Sequence, residues 1–217
     1  MAVGQNLLFG RMRQKIGGIV TSTWKGINVI KSKPLSVANP KTDKQVMRRA
    51  ALIDAMKIAR QLVAVISQGF KEQAVFKSSF NAFVGYILRN AYDYSDPPAI
   101  EFLPDLMLVS QGSISPTPIT SIVSDVSVGT TVITWSPGVL APGQSNNDTV
   151  MVVLRNSVTK KYFAGVNLEV RSTGDVTIAI ADFEFVAGET VEAYLGFYNV
   201  ASRKSSDSQN DTTVAIA

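Results

Sequence analysis

Residues 39–69, NPKTDKQVMRRAALIDAMKIARQLVAVISQG, are the stretch around which the rest of the chain is organised. Apolar side chains recur there at steps of three and four residues, which predicts one long amphipathic helix over 42–68. Thr42 and Gln45 have the spacing of a capping box, and Gly69 supplies a stop. The predicted apolar face consists of Leu52, Met56, Ala59, Leu62, Val63 and Ile66. The opposite face is mostly basic.

The chain has no cysteine and no histidine among its 217 residues. Disulfides, thiolate metal sites and cysteine nucleophiles are therefore excluded, and the Ser-His-Asp arrangement and the commonest general base are missing. We therefore expect a protein that is not an enzyme and that holds no cofactor and no metal. With 46% hydrophobic residues, the chain can bury a hydrophobic core that does not depend on disulfides or structural metal ions.

No stretch approaches the roughly 20 apolar residues of a membrane span, and the N-terminal sequence MAVGQN lacks the basic and apolar regions of a signal peptide. We expect no membrane contact and no secretory export. The protein is then expected in the virion if the gene belongs to a phage, and otherwise in the cytoplasm.

Charge is unevenly distributed along the chain. Residues 1–96 carry 15 Lys and Arg against 5 Asp and Glu, whereas residues 97–217 carry 6 against 12. Such asymmetry suits either a basic face toward nucleic acid or head-to-tail packing of identical subunits. A basic helix face that is merely solvated stays an alternative to both.

Residues 1–36 are predicted to form a basic arm followed by a β-hairpin. The segments 19–24 and 27–32 are rich in β-branched side chains, and Lys25-Gly26 between them suits a tight turn. Because an isolated hairpin is marginal in water, we expect it to lie on another surface. Candidate phosphate contacts in this region are Arg11, Arg13, Lys31 and Lys33.

Residues 37–98 are predicted to form a helical hairpin, whose second helix is capped by Ser79. From residue 99 to 217, short apolar or alternating runs are separated by turn-rich segments, which is typical of an antiparallel immunoglobulin- or fibronectin-like β-sandwich. The runs are 106–110, 119–126, 131–135, 149–155, 162–170, 176–180, 190–198 and 212–216. The predicted fold class is therefore α+β: an N-terminal arm, a β-hairpin and a helical hairpin, followed by the sandwich.

Polar clusters that could carry chemistry have simpler structural interpretations. Asn146-Asn147-Asp148 groups three oxygen-bearing side chains but lacks the spacing of a calcium loop, so a turn is the better interpretation. The carboxylate pairs Asp182/Glu184 and Glu189/Glu192 are interpreted as solvated charges at strand ends rather than a glycosidase pair. Arg48 lies on the apolar side of the predicted helix, which indicates a buried or interfacial anchor.

These residues together resemble an uncharacterised family of roughly 200-residue proteins from Bacteroidetes and their phages. The resemblance spans almost the whole chain, but Lys31 stands where the family usually has Arg, and an aromatic residue typical of the family is missing at Asn210. It implies an N-terminal hairpin and helices before a β-sandwich, without an activity. The shared features include Gly17, Trp24-Lys25-Gly26, 30–34, 39–42, Gln45, Arg48, 80–84, 109–113, 194–197 and 205–208.

We therefore expect a noncatalytic structural protein that assembles with itself and with other structural subunits, most concretely a phage particle or tail component. A nonspecific nucleic-acid-binding protein and a surface- or carbohydrate-binding module stay open as alternatives. The predicted subunit-interface residues are Trp24, Ile27, Val29, Arg48, Arg49, Lys57 and Arg60.

Overall fold

The computed structural model of the protein describes residues 2–4, 15–24, 27–36, 39–179 and 186–216. The chain divides into two compact parts, residues 1–41 and residues 42–217, which we call unit 1 and unit 2. The helices and the sandwich strands both belong to unit 2, so the boundary predicted between residues 98 and 99 falls inside it.

Unit 1 contains a small antiparallel sheet. Its strands are β1 (Ala2–Gly4), β2 (Lys15–Ile16), β3 (Ile19–Trp24) and β4 (Ile27–Ser32), in the order β1-β4-β3-β2. The two central strands have the bounds of the predicted hairpin, and their register runs from Ile19↔Ser32 to Trp24↔Ile27. Alternating β-branched residues specify these strands, whereas β1 and β2 are too short to give a sequence pattern.

Three helices begin unit 2: α1 (Asp43–Gln61), α2 (Val63–Gly69) and α3 (Ser79–Asn90). The prediction of one helix over 42–68 is wrong at Leu62, which separates α1 from α2 and whose N–H donates to the Ala59 carbonyl. The Ser78 side chain, one residue before the predicted cap, accepts a hydrogen bond from the Asn81 N–H and starts α3.

The predicted ends of the first helix also need correction. Thr42 is the N-cap of α1, but its side chain makes no capping hydrogen bond, so the predicted capping box is wrong. Asp43 instead places a carboxylate in the first turn, where it interacts favourably with the helix dipole. Gly69 is the last helical residue rather than a stop beyond the helix, and Phe70 is the C-cap.

The face of α1 and α2 that is buried differs in part from the predicted one. Leu52 and Val63 are 42% and 52% exposed, whereas Ala59, Leu62 and Ile66 are buried as expected. The buried positions of the two helices are Met47, Ala51, Ala55, Ile58, Ala59, Leu62, Val65, Ile66 and Gly69. Small alanines therefore form much of the packed face, which allows the helix to approach its neighbours closely.

The rest of unit 2 is made of antiparallel strands. They are β5 (Tyr92–Asp93), β6 (Glu101–Phe102), β7 (Ile119–Asp125), β8 (Thr130–Trp135), β9 (Thr149–Asn156), β10 (Tyr162–Val170), β11 (Asp175–Ala179), β12 (Thr190–Asn199), β13 (Lys204–Ser205) and β14 (Gln209–Val214). Six of the predicted runs correspond to β7–β12 within one residue at most ends. The run 106–110 is not a strand. The last strand, β14, overlaps the predicted run 212–216 but begins three residues earlier and ends two residues earlier.

Two sheets and the helices form three layers. A three-stranded sheet, β11-β8-β7, packs on a larger sheet in which β10-β9-β12 is continued by β13 and β14. Ile133 and Trp135 from the smaller sheet meet Val152 and Phe197 from the larger one in the core between them. The other face of the larger sheet packs against the helices, so β9 and β12 are buried on both faces.

Two serine-rich segments, 109–113 and 205–208, meet beside the end of α2 and form what we call the serine junction. The Val109 N–H donates to Ser208 Oγ at 2.9 Å, and the Gly112 N–H donates to Asp207 Oδ1 at 3.0 Å. Glu72 Oε1 accepts from the Ser205 N–H at 2.8 Å. These bonds join the helical layer to the larger sheet.

Glycines allow the serine junction to pack closely. A Cβ on Gly112 would lie 2.1 Å from the Ser205 carbonyl oxygen, and one on Gly69 would lie 2.7 Å from the Val109 carbonyl oxygen. A Cβ on Gly196 would lie 2.4 Å from Ser110 Oγ. Backbone atoms cannot move aside as a flexible side chain can, so Gly112 and Gly69 are required for contact rather than for a left-handed conformation.

Within the described part of the chain, no helix has both the length and the apolar character needed to cross a membrane.

Candidate functional site

A cleft of about 200 Å³ opens between α1, β6 and the β9–β10 hairpin, and we call it the α1–β10 cleft. Its lining from α1 consists of Asp54, Lys57, Ile58 and Gln61, which share one face of the helix because they are three or four residues apart. The remaining lining residues are Phe102 from β6, Arg155 from β9, Lys160 from the following turn and Tyr162 from β10.

A buried ion pair forms the floor of the cleft. Arg155 and Glu192 are 7% and 8% exposed, and Arg155 Nη1 lies 2.6 and 2.7 Å from the two carboxylate oxygens. The guanidinium carbon lies 5.3 Å from the centroid of the Phe102 ring and 6.0 Å from that of Tyr162. Burying either charge without the other would be costly, because its lost hydration would not be offset by an ion pair. The pairing of Arg155 with Glu192 is therefore needed for both side chains to be buried.

Three tyrosine hydroxyls lie near Arg155, Glu192 or Asp54 and stay protonated at neutral pH. Burial raises the pKa of Tyr162, although Arg155 opposes the rise. Burial also raises the pKa of Tyr194, with a further contribution from the charge of Glu192. Tyr92 donates to Asp54 Oδ2 at 2.7 Å, and burial together with this bond raises its pKa. Tyr162 is the one of these three that lines the cleft, so its neutral hydroxyl is available there and does not act as a base.

A second buried ion pair joins Arg171 and Asp148 at one end of the sandwich. Both side chains are fully buried, with Arg171 Nε 3.2 Å from Asp148 Oδ2. The Asn199 amide donates to Asp148 Oδ1 at 2.7 Å, and Arg171 Nη1 donates to Thr117 Oγ1. Asp148 is therefore a structural partner of an arginine, and the turn predicted at 146–147 is present beside it.

The carboxylates weighed as a glycosidase pair need one correction. Glu192 is not a solvated strand-end charge, because it is buried against Arg155. Glu189 accepts a hydrogen bond from the Asn156 amide at 2.6 Å. Asp182 and Glu184 lie outside the described residues. Among the residues that the structure describes, no three Asp or Glu side chains converge as metal ligands.

The basic residues predicted on the first helix occupy different surroundings. Lys57 lines the α1–β10 cleft, whereas Arg49 and Arg60 are exposed elsewhere on α1. Arg48 is exposed rather than buried, and its guanidinium carbon lies 3.6 Å from the centroid of the Tyr94 ring. This cation–π contact makes Arg48 a surface anchor for the segment after α3.

The other predicted contact residues belong to unit 1. Trp24, Ile27 and Val29 lie on β3 and β4, and Ile27 and Val29 are partly buried. Lys31 and Lys33 are exposed at and just beyond the end of β4. The other two candidate phosphate contacts, Arg11 and Arg13, lie outside the described residues.

Sequence reasoning missed the cleft because its residues come from segments far apart in the chain. Arg155 and Glu192 are 37 positions apart and meet only through the pairing of β9 with β12, in which they are register partners. One signal was available: each is a single charged residue within a run of apolar residues, and such a charge is rarely buried without a partner.

Comparison with known proteins gives distant similarity to several solved structures and a match to one family model. The fibronectin type III domain of human collagen alpha-1(XX) is 12% identical, with a TM-score of 0.35 over 50% of this chain and 92% of that one. The twitchin kinase region from C. elegans is 14% identical (TM-score 0.33, 48% of this chain and 17% of that one). A beta-1,2-glucanase from Parabacteroides distasonis is 15% identical (TM-score 0.33, 56% and 15%).

No protein among the curated ones matches the sequence. The model of a family of unknown function, DUF6266, matches residues 11–210.

Proposed function

This chain belongs to DUF6266, a family of unknown function, and we propose that it is a noncatalytic structural protein that assembles with copies of itself through unit 1. The most concrete version is a component of a phage particle or tail, with unit 2 as a fibronectin-like scaffold. Each copy presents its own unit 1 and receives that of the next copy, so the contact is head to tail and generates a ring or a filament.

The observation that carries this proposal is that the described side chains of unit 1 form no hydrophobic core. Among its described side chains, none is a buried hydrophobic one, and the only buried ones are the polar Thr21 and Asn28. Ile19 and Ile30 are 47% and 39% exposed. A small sheet gains stability from a face packed on something apolar, so unit 1 has burial to gain from a neighbouring molecule.

Charge favours a second copy of the chain as that neighbour. A cleft of about 300 Å³ at the β5–β6 loop is lined by the carboxylates of Asp93, Asp96 and Glu101, and no cation among the described residues lines it. The ammonium groups of Lys31 and Lys33 stand exposed at the end of β4. Opposite charges on the two surfaces steer their encounter and fix the register of the contact.

A charge-swap experiment tests this contact. Sedimentation velocity of the full chain is expected to show an assembly that the double substitution Lys31→Glu and Lys33→Glu reduces to monomer, because like charges then face each other. Reversing the acidic side as well, with Asp96→Lys and Glu101→Lys in the same chain, is expected to restore the assembly.

The matched control is Lys71→Glu with Lys77→Glu, which changes the net charge equally at two exposed lysines of unit 2. It is expected to leave the assembly unchanged. The assigned contact would be contradicted if the control pair reduced the assembly as much as the Lys31 and Lys33 pair. It would also be contradicted if the reversal of Asp96 and Glu101 did not restore the assembly. A full chain that stays monomeric and is retained on DNA only at low salt would favour the nucleic-acid alternative.

A further inference from the structure

The mouth of the α1–β10 cleft carries two ammonium groups that form no ion pair with any described carboxylate. Lys57 and Lys160 are both exposed and line the cleft, and neither takes part in an ion pair within the described parts of the chain. Two like charges facing one concave surface raise the local positive potential. An anion that enters the cleft relieves their repulsion.

Charge counting indicates the size of the charge that the cleft accepts. Its cations are Lys57, Lys160 and Arg155, and the carboxylates beside them are Asp54 and Glu192. Arg155 and Glu192 cancel each other at the floor, so one positive charge remains in excess at the mouth. Arg155 Nε is buried and has no hydrogen-bond partner, which leaves the floor polar but incompletely satisfied. A ligand with a single negative charge balances the site.

The walls indicate the shape of the ligand. The Phe102 and Tyr162 rings and the Ile58 side chain supply an apolar surface next to the charged mouth. The volume, about 200 Å³, is below the roughly 300–1,000 Å³ typical of drug-sized ligands. Aromatic walls favour a flat partner that can stack against a ring or meet it edge to face.

We propose that the α1–β10 cleft binds a small carboxylate monoanion that carries one flat apolar ring. The carboxylate lies between the Lys57 and Lys160 ammonium groups, and the ring lies against Phe102 and Tyr162. The protonated Tyr162 hydroxyl can donate to or accept from a polar substituent of the ring. This assignment does not depend on self-assembly, because all the lining residues belong to unit 2.

Three probes separate the requirements for charge and for the ring: benzoate has both, benzyl alcohol has the ring alone, and acetate has the charge alone. Their dissociation constants for the full chain are measured by saturation-transfer NMR, which works for monomers and assemblies alike. Benzoate is expected to bind at least about tenfold more tightly than either of the other probes. The absence of benzoate binding, or equally tight binding of benzyl alcohol, overturns the proposal.

Paired substitutions place the binding at the cleft. Lys57→Met with Lys160→Met is expected to weaken benzoate binding by about tenfold or more, because it removes both ammonium groups while keeping an unbranched side chain that is only one atom shorter. Lys71→Met with Lys77→Met removes the same net charge from exposed positions outside the cleft and is expected to leave the dissociation constant unchanged. Equal weakening in both pairs would show a general charge effect and overturn the site.

Discussion

Asp148→Asn is expected to lower the free energy of unfolding by about 3–5 kcal/mol, because it leaves the guanidinium of Arg171 buried without a counter-charge. Both side chains have no exposed surface. The Arg171 guanidinium carbon lies 3.8 Å from the centroid of the Phe197 ring, and the Trp135 indole N–H donates to the Arg171 carbonyl at 2.9 Å. The arginine is therefore held within the core by rigid neighbours and cannot move out to water.

Urea unfolding of the chain 42–217 measures this effect without a contribution from unit 1. Adding Arg171→Met to Asp148→Asn removes the stranded charge and replaces it with an apolar side chain that can fill much of the space. The double variant is expected to be more stable than Asp148→Asn alone, since the main cost comes from an unpaired charge rather than from a lost attraction. A double variant that is less stable than the single one would contradict this assignment.

Glu192→Gln is expected to cause the second largest decrease in the free energy of unfolding, toward the lower end of the same range of about 3–5 kcal/mol. The substitution keeps the shape of the side chain and removes the charge that lies 2.6 Å from Arg155 Nη1. It also weakens the acceptor for the Tyr194 hydroxyl, which lies 3.3 Å from Glu192 Oε2. The loss is smaller than at Asp148 because Arg155 borders the cleft, where water can reach part of the guanidinium.

The matched control is Glu169→Gln on β10, which removes the same charge from an exposed side chain. It is expected to change the free energy of unfolding by no more than about 0.5 kcal/mol. The measurement is urea unfolding followed by tryptophan fluorescence, since Trp135 lies in the core of unit 2. Similar losses for the two glutamine variants would mean that the buried pair does not stabilise the sheet.

How much of the fold could be predicted from the sequence depends on how local each signal is. The bounds of β3, β4 and β10 follow from alternation and turn residues within a few positions. The break at Leu62 has no such signal, because leucine is a good helix former. The buried face of α1 was misplaced toward Leu52 because hydrophobic periodicity weights large side chains, whereas the packed face uses Ala51 and Ala55.

The central strand β12 shows why alternation alone does not describe a strand in a layered fold. Val191, Leu195 and Phe197 alternate along it and lie on the face toward the smaller sheet. The opposite face, with Tyr194 and Tyr198, is also buried because the helices cover it. Nothing within the strand specifies a second layer, and only the tertiary structure brings it there.

The pairing of the charged core residues could not be predicted either, because it too depends on the tertiary structure. A sequence shows that Arg171 and Asp148 exist but does not show that they meet, since 23 positions and two whole strands, β9 and β10, separate them. The same holds for the α1–β10 cleft, to which α1 contributes one helical face and three strands and one turn contribute the rest. Lys57 was predicted as an interface residue from helix position alone, and its cleft neighbours are all distant in sequence or one turn away.

The most direct test of the proposed assembly is the mass of the protein in solution with and without unit 1. Light scattering at matched concentrations is performed on the full chain and on residues 42–217, which retain both hydrophobic cores. We predict a multimer for the full chain and a folded monomer for the shorter one. Equal masses for the two, whether monomeric or multimeric, would contradict the claim that unit 1 gains its burial from a neighbouring copy.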